Sequence, residues 1–332
     1  LGFYIQDKWA PSSRFDLTFG LRADLPFMLD TPTENKEFNS FAQAQGWGFV
    51  TNQKIAVKPM WSPRVGFRWD ANGDHSLIVR GGVGIFTGHV PFVWLSNSFS
   101  NTGIQQMSYS KRNNDTEGII PQYNVNNAAL ADPRIDTSIP TQKLQTINAF
   151  NKDFKFAQQL RFDVAADYID PFVGINWTLE GIYSKTLNDM IVKRYDIAAT
   201  GETFAGQYGI TIGDNRSMYK YATTPYNAIY VLDNVSKGYS YNISLKAEKT
   251  FDFGLDVMAS YTYGKAKSVS NGSSSVAASN FSNNYTHREP NKPELANSNF
   301  NIPHQVMISA YQHIKWNKDI KDTYNNVTTI GL

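Results

Sequence analysis

Residues 14–24 read RFDLTFGLRAD. The odd positions are Phe15, Leu17, Phe19, Leu21 and Ala23. The even positions are Arg14, Asp16, Thr18, Gly20, Arg22 and Asp24. One set is wholly apolar and the other is polar or glycine. A helix would mix the two sets around its circumference, whereas a strand sends them to opposite faces. The stretch is therefore a β-strand with one apolar and one polar face.

The same two-residue period returns along the chain. In 61–70, Trp61, Val65, Phe67 and Trp69 oppose Ser62, Arg64, Gly66, Arg68 and Asp70. Comparable alternation runs through 1–9, 77–87, 160–168, 175–184, 239–250, 255–263 and 306–316, although Asp7 breaks the apolar face of the first. In the last, Val306, Ile308, Ala310, Ile314 and Trp316 share a face with Gln312. That makes about nine strands of about 9–13 residues, the length a tilted strand needs to cross a bilayer, against about 5–6 in soluble proteins.

The connections alternate too. Residues 10–13, 71–74, 170–174 and 251–254 are short and carry Pro, Gly, Asn, Asp or Ser, the residues of tight turns. Residues 25–60, 88–157, 197–238 and 267–302 are long and rich in Asn, Ser, Thr, Gly and Gln. Short turns at one end and long loops at the other is the layout of outer-membrane barrels, with the long loops outside the cell. The Asn- and Ser-rich stretch 267–284 reads as mobile. Aromatics gather at the ends of the runs, at Trp61, Trp69, Tyr168, Trp177, Tyr239, Tyr261, Tyr263 and Trp316, where an interfacial girdle belongs.

Composition agrees. Of 332 residues, 41% are hydrophobic and 14% aromatic, yet mean hydropathy is −0.40. No apolar run reaches the roughly 18 residues of a spanning helix, while barrel strands leave the average polar. There is no cysteine, which removes disulfides, Cys-ligated metals and thiol nucleophiles. The net charge of +2 is too balanced for a nucleic-acid partner. No methionine or charged leader opens the chain, and an odd strand number cannot close a standard single-chain barrel. The expectation is part of a longer protein.

Several segments, in this order, resemble the barrel of Oar-like TonB-dependent receptors, relatives of the SusC-type transporters. They are FYIQDKW at 3–9, LTFGLRADLP at 17–26, WSPRVGFRWD at 61–70, RGGVGIFTG at 80–88, VPFVWLSNSFSNTG at 90–103, GYSYNISLKAEKTF at 238–251 and ASYTYGKAKS at 259–268, with NIPHQ at 301–305 before the last strand. The resemblance implies an all-β antiparallel transmembrane barrel of about 22 strands, of which residues 1–332 form one part, in the outer membrane of a Gram-negative bacterium. It implies a plug domain and barrel ends outside this chain, and transport energised through the TonB complex. The implied partners are outer-membrane lipid, the plug, TonB through the plug, an unidentified cargo and a surface lipoprotein. No cofactor is implied.

The polar faces carry the candidate site. Arg14, Arg22, Arg64, Arg68, Arg80 and Arg161 stand among Asp16, Asp24, Asp70, Asp163 and Asp167. The plain reading is ladders of wall ion pairs that also hold a plug. The sharper one is that Arg64, Arg68, Arg80 and Arg161, with Asp163 and Asp167, meet an anionic cargo. The apolar segment Pro91–Leu95 is a helix or hairpin folded over the barrel mouth, or an aromatic platform in which Phe92, Trp94 and Phe99 meet cargo. The glycines Gly81, Gly82 and Gly84 lack the Lys-Ser/Thr of a phosphate loop and read as strand positions needing close backbone approach. The five histidines have no metal spacing. No Ser-His-Asp arrangement stands out, so catalysis is not expected. An active transporter for a nutrient too large or scarce for porins is the leading function. The alternatives are a passive porin-like channel and an adhesion or binding protein anchored by the barrel.

Overall fold

The computed structural model describes residues 1–105, 145–209, 213–315 and 327–331. In chain order the elements are β1 (Gly2–Ser12), β2 (Phe15–Asp24), α1 (Lys36–Ala44), β3 (Met60–Asp70), β4 (Leu77–Thr87), α2 (Phe92–Ser100), β5 (Thr146–Phe150), β6 (Gln158–Ile169) and β7 (Asn176–Arg194). There follow β8 (Ile197–Thr203), α3 (Phe204–Tyr208), β9 (Ser217–Tyr221), β10 (Ala228–Val235), β11 (Tyr239–Thr250), β12 (Leu255–Ser268), α4 (Ala277–Ser282), β13 (Ala296–Asn297), β14 (His304–Lys315) and β15 (Val327–Gly331).

One antiparallel sheet runs β1-β2-β3-β4-β6-β7-β11-β12-β14-β15. This is a meander in which each strand pairs with the next long strand in sequence. All nine expected strands are in it, joined by a short tenth, β15. Trp316 lies outside the described residues.

The register explains why the alternation persists from strand to strand. Leu17 faces both Trp9 and Phe67, and Phe67 faces Gly81. Val83 faces Phe162, which faces Tyr183. Leu179 faces Leu245, which faces Tyr261, which faces Val306. A slip of one residue at any pair would turn a whole apolar row to the polar face, so the pattern itself fixes the register. Along the sheet the apolar row is large and solvent-exposed, from Phe3 and Ile5 to Val306 and Ile308. Aromatic residues bound it at the turn end, where Phe15 faces Trp69 and Tyr168 faces Trp177.

The wall contributes little to the buried core, which lies in the long loops. One cluster joins Phe38, Ala42 and Phe49 to Ile147, Ala149, Ile229 and Val231. A second joins Ile55, Val90, Leu95, Phe150, Phe154, Met190 and Leu232. The connecting element is a ribbon above the wall in which β10 pairs antiparallel with the upper part of β7 and parallel with β5. Buried Asn35 ties two loops together: it caps α1 through the Phe38 amide (3.0 Å) and donates to the Thr102 carbonyl (2.9 Å).

Three readings of the loops are corrected. Strand β7 continues ten residues past Ser184; a bulge at Leu187 shifts its register against β6, and Met190 and Val192 pack into the loop core beside the buried Ile191. The stretch 267–284 is ordered: Val269, Ala277 and Asn280 are buried, and the Asn280 side chain both accepts from the Ser274 amide (3.0 Å) and donates to its carbonyl (2.6 Å). The stretch 197–238 holds the β8–β9 hairpin and β10.

Candidate functional site

The polar face of β3, β4 and β6 gathers all six charged candidates. Arg68 lies directly across from Arg80, and Arg64 and Arg161 both lie across from Gly84, one on each side. Such close strand approach needs small residues. A Cβ on Gly81 would lie 2.6 Å from the Asp163 carbonyl oxygen, so β4 and β6 can pair there only through glycine.

The expected ion-pair ladder forms at one point in this group. Arg80 Nε donates to Asp167 Oδ2 at 2.9 Å, and its other branch stands 3.7 Å from Glu180. Thr178 also donates to Asp167, at 2.8 Å. Arg22 pairs with Asp24 on its own strand at 2.7 Å, and Asp16 takes Lys8 at 3.2 Å. Arg68 and Arg161 make no ion pair among the described residues, and Arg64 lies over the Phe86 ring, 5.9 Å from its centroid. Asp70 has a turn role, accepting from the Gly73 amide (2.8 Å) and His75 Nδ1 (2.6 Å). A recess of about 350 Å³ opens beside Lys8, Asp16, Arg68, Arg80 and Asp163. This surface carries more cation than its own acids neutralise, and chemically it suits carboxylate or phosphate groups.

The loop aromatics sit on α2 and are divided by the structure. Phe92 is 78% exposed and Phe99 is half-buried. Trp94 is pinned: its indole N–H donates to the Ser274 carbonyl at 2.8 Å, and its ring lies where a side chain on Gly272 would stand, 2.9 Å from a Cβ built there. Leu95 is buried among Val90, Phe150 and Phe154. The segment thus folds into the loop core, with Phe92 facing out.

A feature that the sequence reading missed lies between α2 and the upper wall. A cavity of about 430 Å³ is lined by Trp94, Gln159, Ser184, Thr186, Asp189, Ser240, Ser268, Asn271 and Phe300, among others. Asp189 stands in the part of β7 above the apolar band, and burial raises its carboxyl above the ordinary range. The only hint in the sequence was the Ser and Thr content of these strand ends, which does not say that loops close over them. Among the described residues no three His, Cys, Asp or Glu side chains converge on a metal position.

The family model for the outer membrane beta barrel domain matches residues 1–327. No curated protein matches the chain. Among solved structures, the siderophore receptor PirA of Pseudomonas aeruginosa aligns over 95% of this chain and 37% of its own, at 10% identity and a TM-score of 0.43. The ferric enterobactin receptor PfeA of the same organism, in complex with BCV-L6, aligns over 96% and 38%, at 11% identity and a TM-score of 0.45. The FrpB iron transporter of Neisseria meningitidis aligns over 94% and 31%, at 11% identity and a TM-score of 0.45. The chain spans under two-fifths of the length of each.

Proposed function

The chain belongs to the outer membrane beta barrel domain family and resides in the outer membrane of a Gram-negative bacterium, and from that premise we propose that it forms part of the barrel of an Oar-like, SusC-related TonB-dependent transporter. The apolar face then meets lipid and the polar face meets the lumen. The plug, the remaining strands and the link to TonB belong to the rest of that protein. The cargo is a nutrient too large or too scarce for a porin.

The observation that carries this reading is the pairing of a cationic wall with a folded cap. Arg64, Arg68 and Arg161 face the lumen without an ion pair among the described residues. In a water-filled pore they need no partner; against a plug or an anionic cargo they supply charge-assisted hydrogen bonds. Arg80, Asp163 and Asp167 complete that wall. The loops form their own core over the mouth, with Phe92, Trp94 and Phe99 on the helix that roofs the cavity. Loops so packed restrict free diffusion and offer a binding surface.

Conductance tests it. The whole protein, reconstituted in a planar bilayer, is expected to stay closed at rest. A steady, ohmic current would mean an unplugged pore, and the transporter reading would give way to a passive channel.

A further inference from the structure

The cavity between α2 and the upper wall holds a charge that nothing around it answers. Asp189 follows the bulge at Leu187 on β7 and lines the cavity half-buried. Its one hydrogen-bond partner among the described residues is the amide of the next residue, Met190, at 2.8 Å. No neighbouring cation offsets its burial. Lys267 belongs to the same lining, but it shares a row with Tyr239 and Lys185, on the face opposite to Ser184, Ser240 and Ala266. Arg161 lies across from Ser184, below the cavity and outside its lining.

The rest of the lining is polar and uncommitted. Ser184 lies across from Ser240 and Thr186 across from Gln159, all four on the luminal face. None of these four side chains makes a hydrogen bond among the described residues, so their donors and acceptors are open to a guest. Opposite them stands Trp94, its ring held by the Ser274 carbonyl at 2.8 Å, and Phe300, 80% exposed, forms the rim. The volume of about 430 Å³ falls in the range of small-molecule sites, about 300–1,000 Å³. A carboxylate drawn out of water without a counter-charge is costly, and a ligand that brings the cation removes that cost. An indole face adds its own attraction for an ammonium group.

We propose that this cavity binds a small organic cation, a primary ammonium group on a hydroxyl-bearing carrier. The ammonium donates to the Asp189 carboxylate, and Ser184, Thr186, Ser240 and Gln159 hold the carrier. The wall below, with Arg68, Arg80 and Arg161, suits anions, so the two levels of the lumen differ in sign. A neutral guest gains the hydroxyl contacts and nothing at Asp189; an anionic guest is repelled there. The site names a cargo class for the transporter reading and rests on that reading for its purpose. Binding itself needs neither a plug nor an energy source.

The test is isothermal titration of the whole protein in detergent at neutral pH. Glucosamine is the probe and glucose its neutral match, an amine standing in for one hydroxyl. Glucosamine should bind at least about tenfold more tightly, the worth of one charge-assisted hydrogen bond. Asp189→Asn should abolish that preference and leave glucose binding as it was, and Asp189→Glu should keep part of it. The proposal is overturned if glucose binds the native protein as tightly as glucosamine, which would indicate a neutral polyol site, or if the Asn variant keeps the preference. It falls equally if glucosamine at millimolar concentration does not bind. Should the Asn variant fail to assemble, the native protein still decides: N-acetylglucosamine, which keeps the hydroxyls and loses the charge, should bind no better than glucose, and binding on a par with glucosamine would refute the site. A steady current in the bilayer would remove the transporter reading and leave this site standing. Absence of glucosamine binding would remove the site and leave the transporter reading intact.

Discussion

Replacing Val65 by Arg should test the assignment of faces at its most sensitive point. Val65 lies on β3 midway between Trp61 and Trp69, paired with Phe19 on one side and Val83 on the other, and it is 44% exposed on the apolar face. An arginine there stands at the bilayer midplane with apolar neighbours on both adjoining strands. The expected cost is about 2–4 kcal/mol, a shift of roughly 30- to 1,000-fold in the folding equilibrium. The control is Gly66→Arg, one residue on and facing the lumen, where a Cβ meets nothing closer than 3.5 Å. Water reaches that side, so the change should stay within about 0.5 kcal/mol. Phe19→Arg is the informative third variant. Asp7 lies directly across from Phe19 on the apolar face, so an arginine at 19 gains a carboxylate partner and should be milder than at 65. Adding Asp7→Ala should restore the full penalty, and the cycle measures the pair. The assay is the fraction of outer-membrane protein that resists unfolding in detergent before heating, followed through a urea titration. If Val65→Arg and Gly66→Arg assemble alike, the two faces have been assigned wrongly and the argument built on register fails.

Three further outcomes are expected. Gly81→Ala should destabilise by about 1–3 kcal/mol, since its Cβ would crowd the Asp163 carbonyl and overpacking costs that much; Gly181→Ala, whose nearest neighbour is Val164 Cγ1 at 3.9 Å, should not, and thermal unfolding separates them. Asn280→Ala should cost on the order of 1 kcal/mol by removing the partner of the half-buried Ser274 amide and one of the two donors to its carbonyl, with the 270–276 segment becoming more open to protease. Arg216 beside Asp214 holds that carboxyl down to about 2, mainly through their side-chain hydrogen bond. A depressed carboxylate stabilises the folded form above its unfolded value of 3.8 and ceases to as pH falls through about 2. Hydrogen exchange in the β8–β9 hairpin should therefore quicken across that window, and Arg216→Gln should remove the dependence.

The wall was legible in the sequence because a single constraint, one face to lipid and one to water, acts on every residue of a strand. It writes itself as an unbroken period of two, and Phe15 to Ala23 suffices to read it. The upper half of β7 obeys no such rule. After the bulge at Leu187, Met190, Ile191 and Val192 are all shielded from solvent or partly so, so Met190-Ile191-Val192 reads as a plain apolar run that suits strand, helix or coil. Strand β5, only five residues long, pairs in parallel with a segment far along the chain, and nothing local marks that choice. The charged candidates share one face of the sheet, because facing follows from parity. Their partners were not: that Arg80 takes Asp167 while Arg68 stands across from Arg80 depends on stagger between strands, which parity leaves open. The cavity beneath α2 was missed for the same reason as the loop core, since both arise from contacts between loops.

The cap and the wall also differ in the reach of their contacts, and that imposes an order of events in assembly. Every second pair of neighbouring wall strands is joined by a turn of a few residues, as β1–β2, β3–β4, β6–β7 and β11–β12 are, so these hairpins close cheaply from local encounters. The cap is held by contacts such as Asn151 to Asp233, 82 residues apart, and its parallel pair gains its second neighbour only once the upper part of β7 is in place. The wall should thus be set before the cap can condense. The long loops must then cross the membrane as open chain and fold on the far side, with the finished wall as their template.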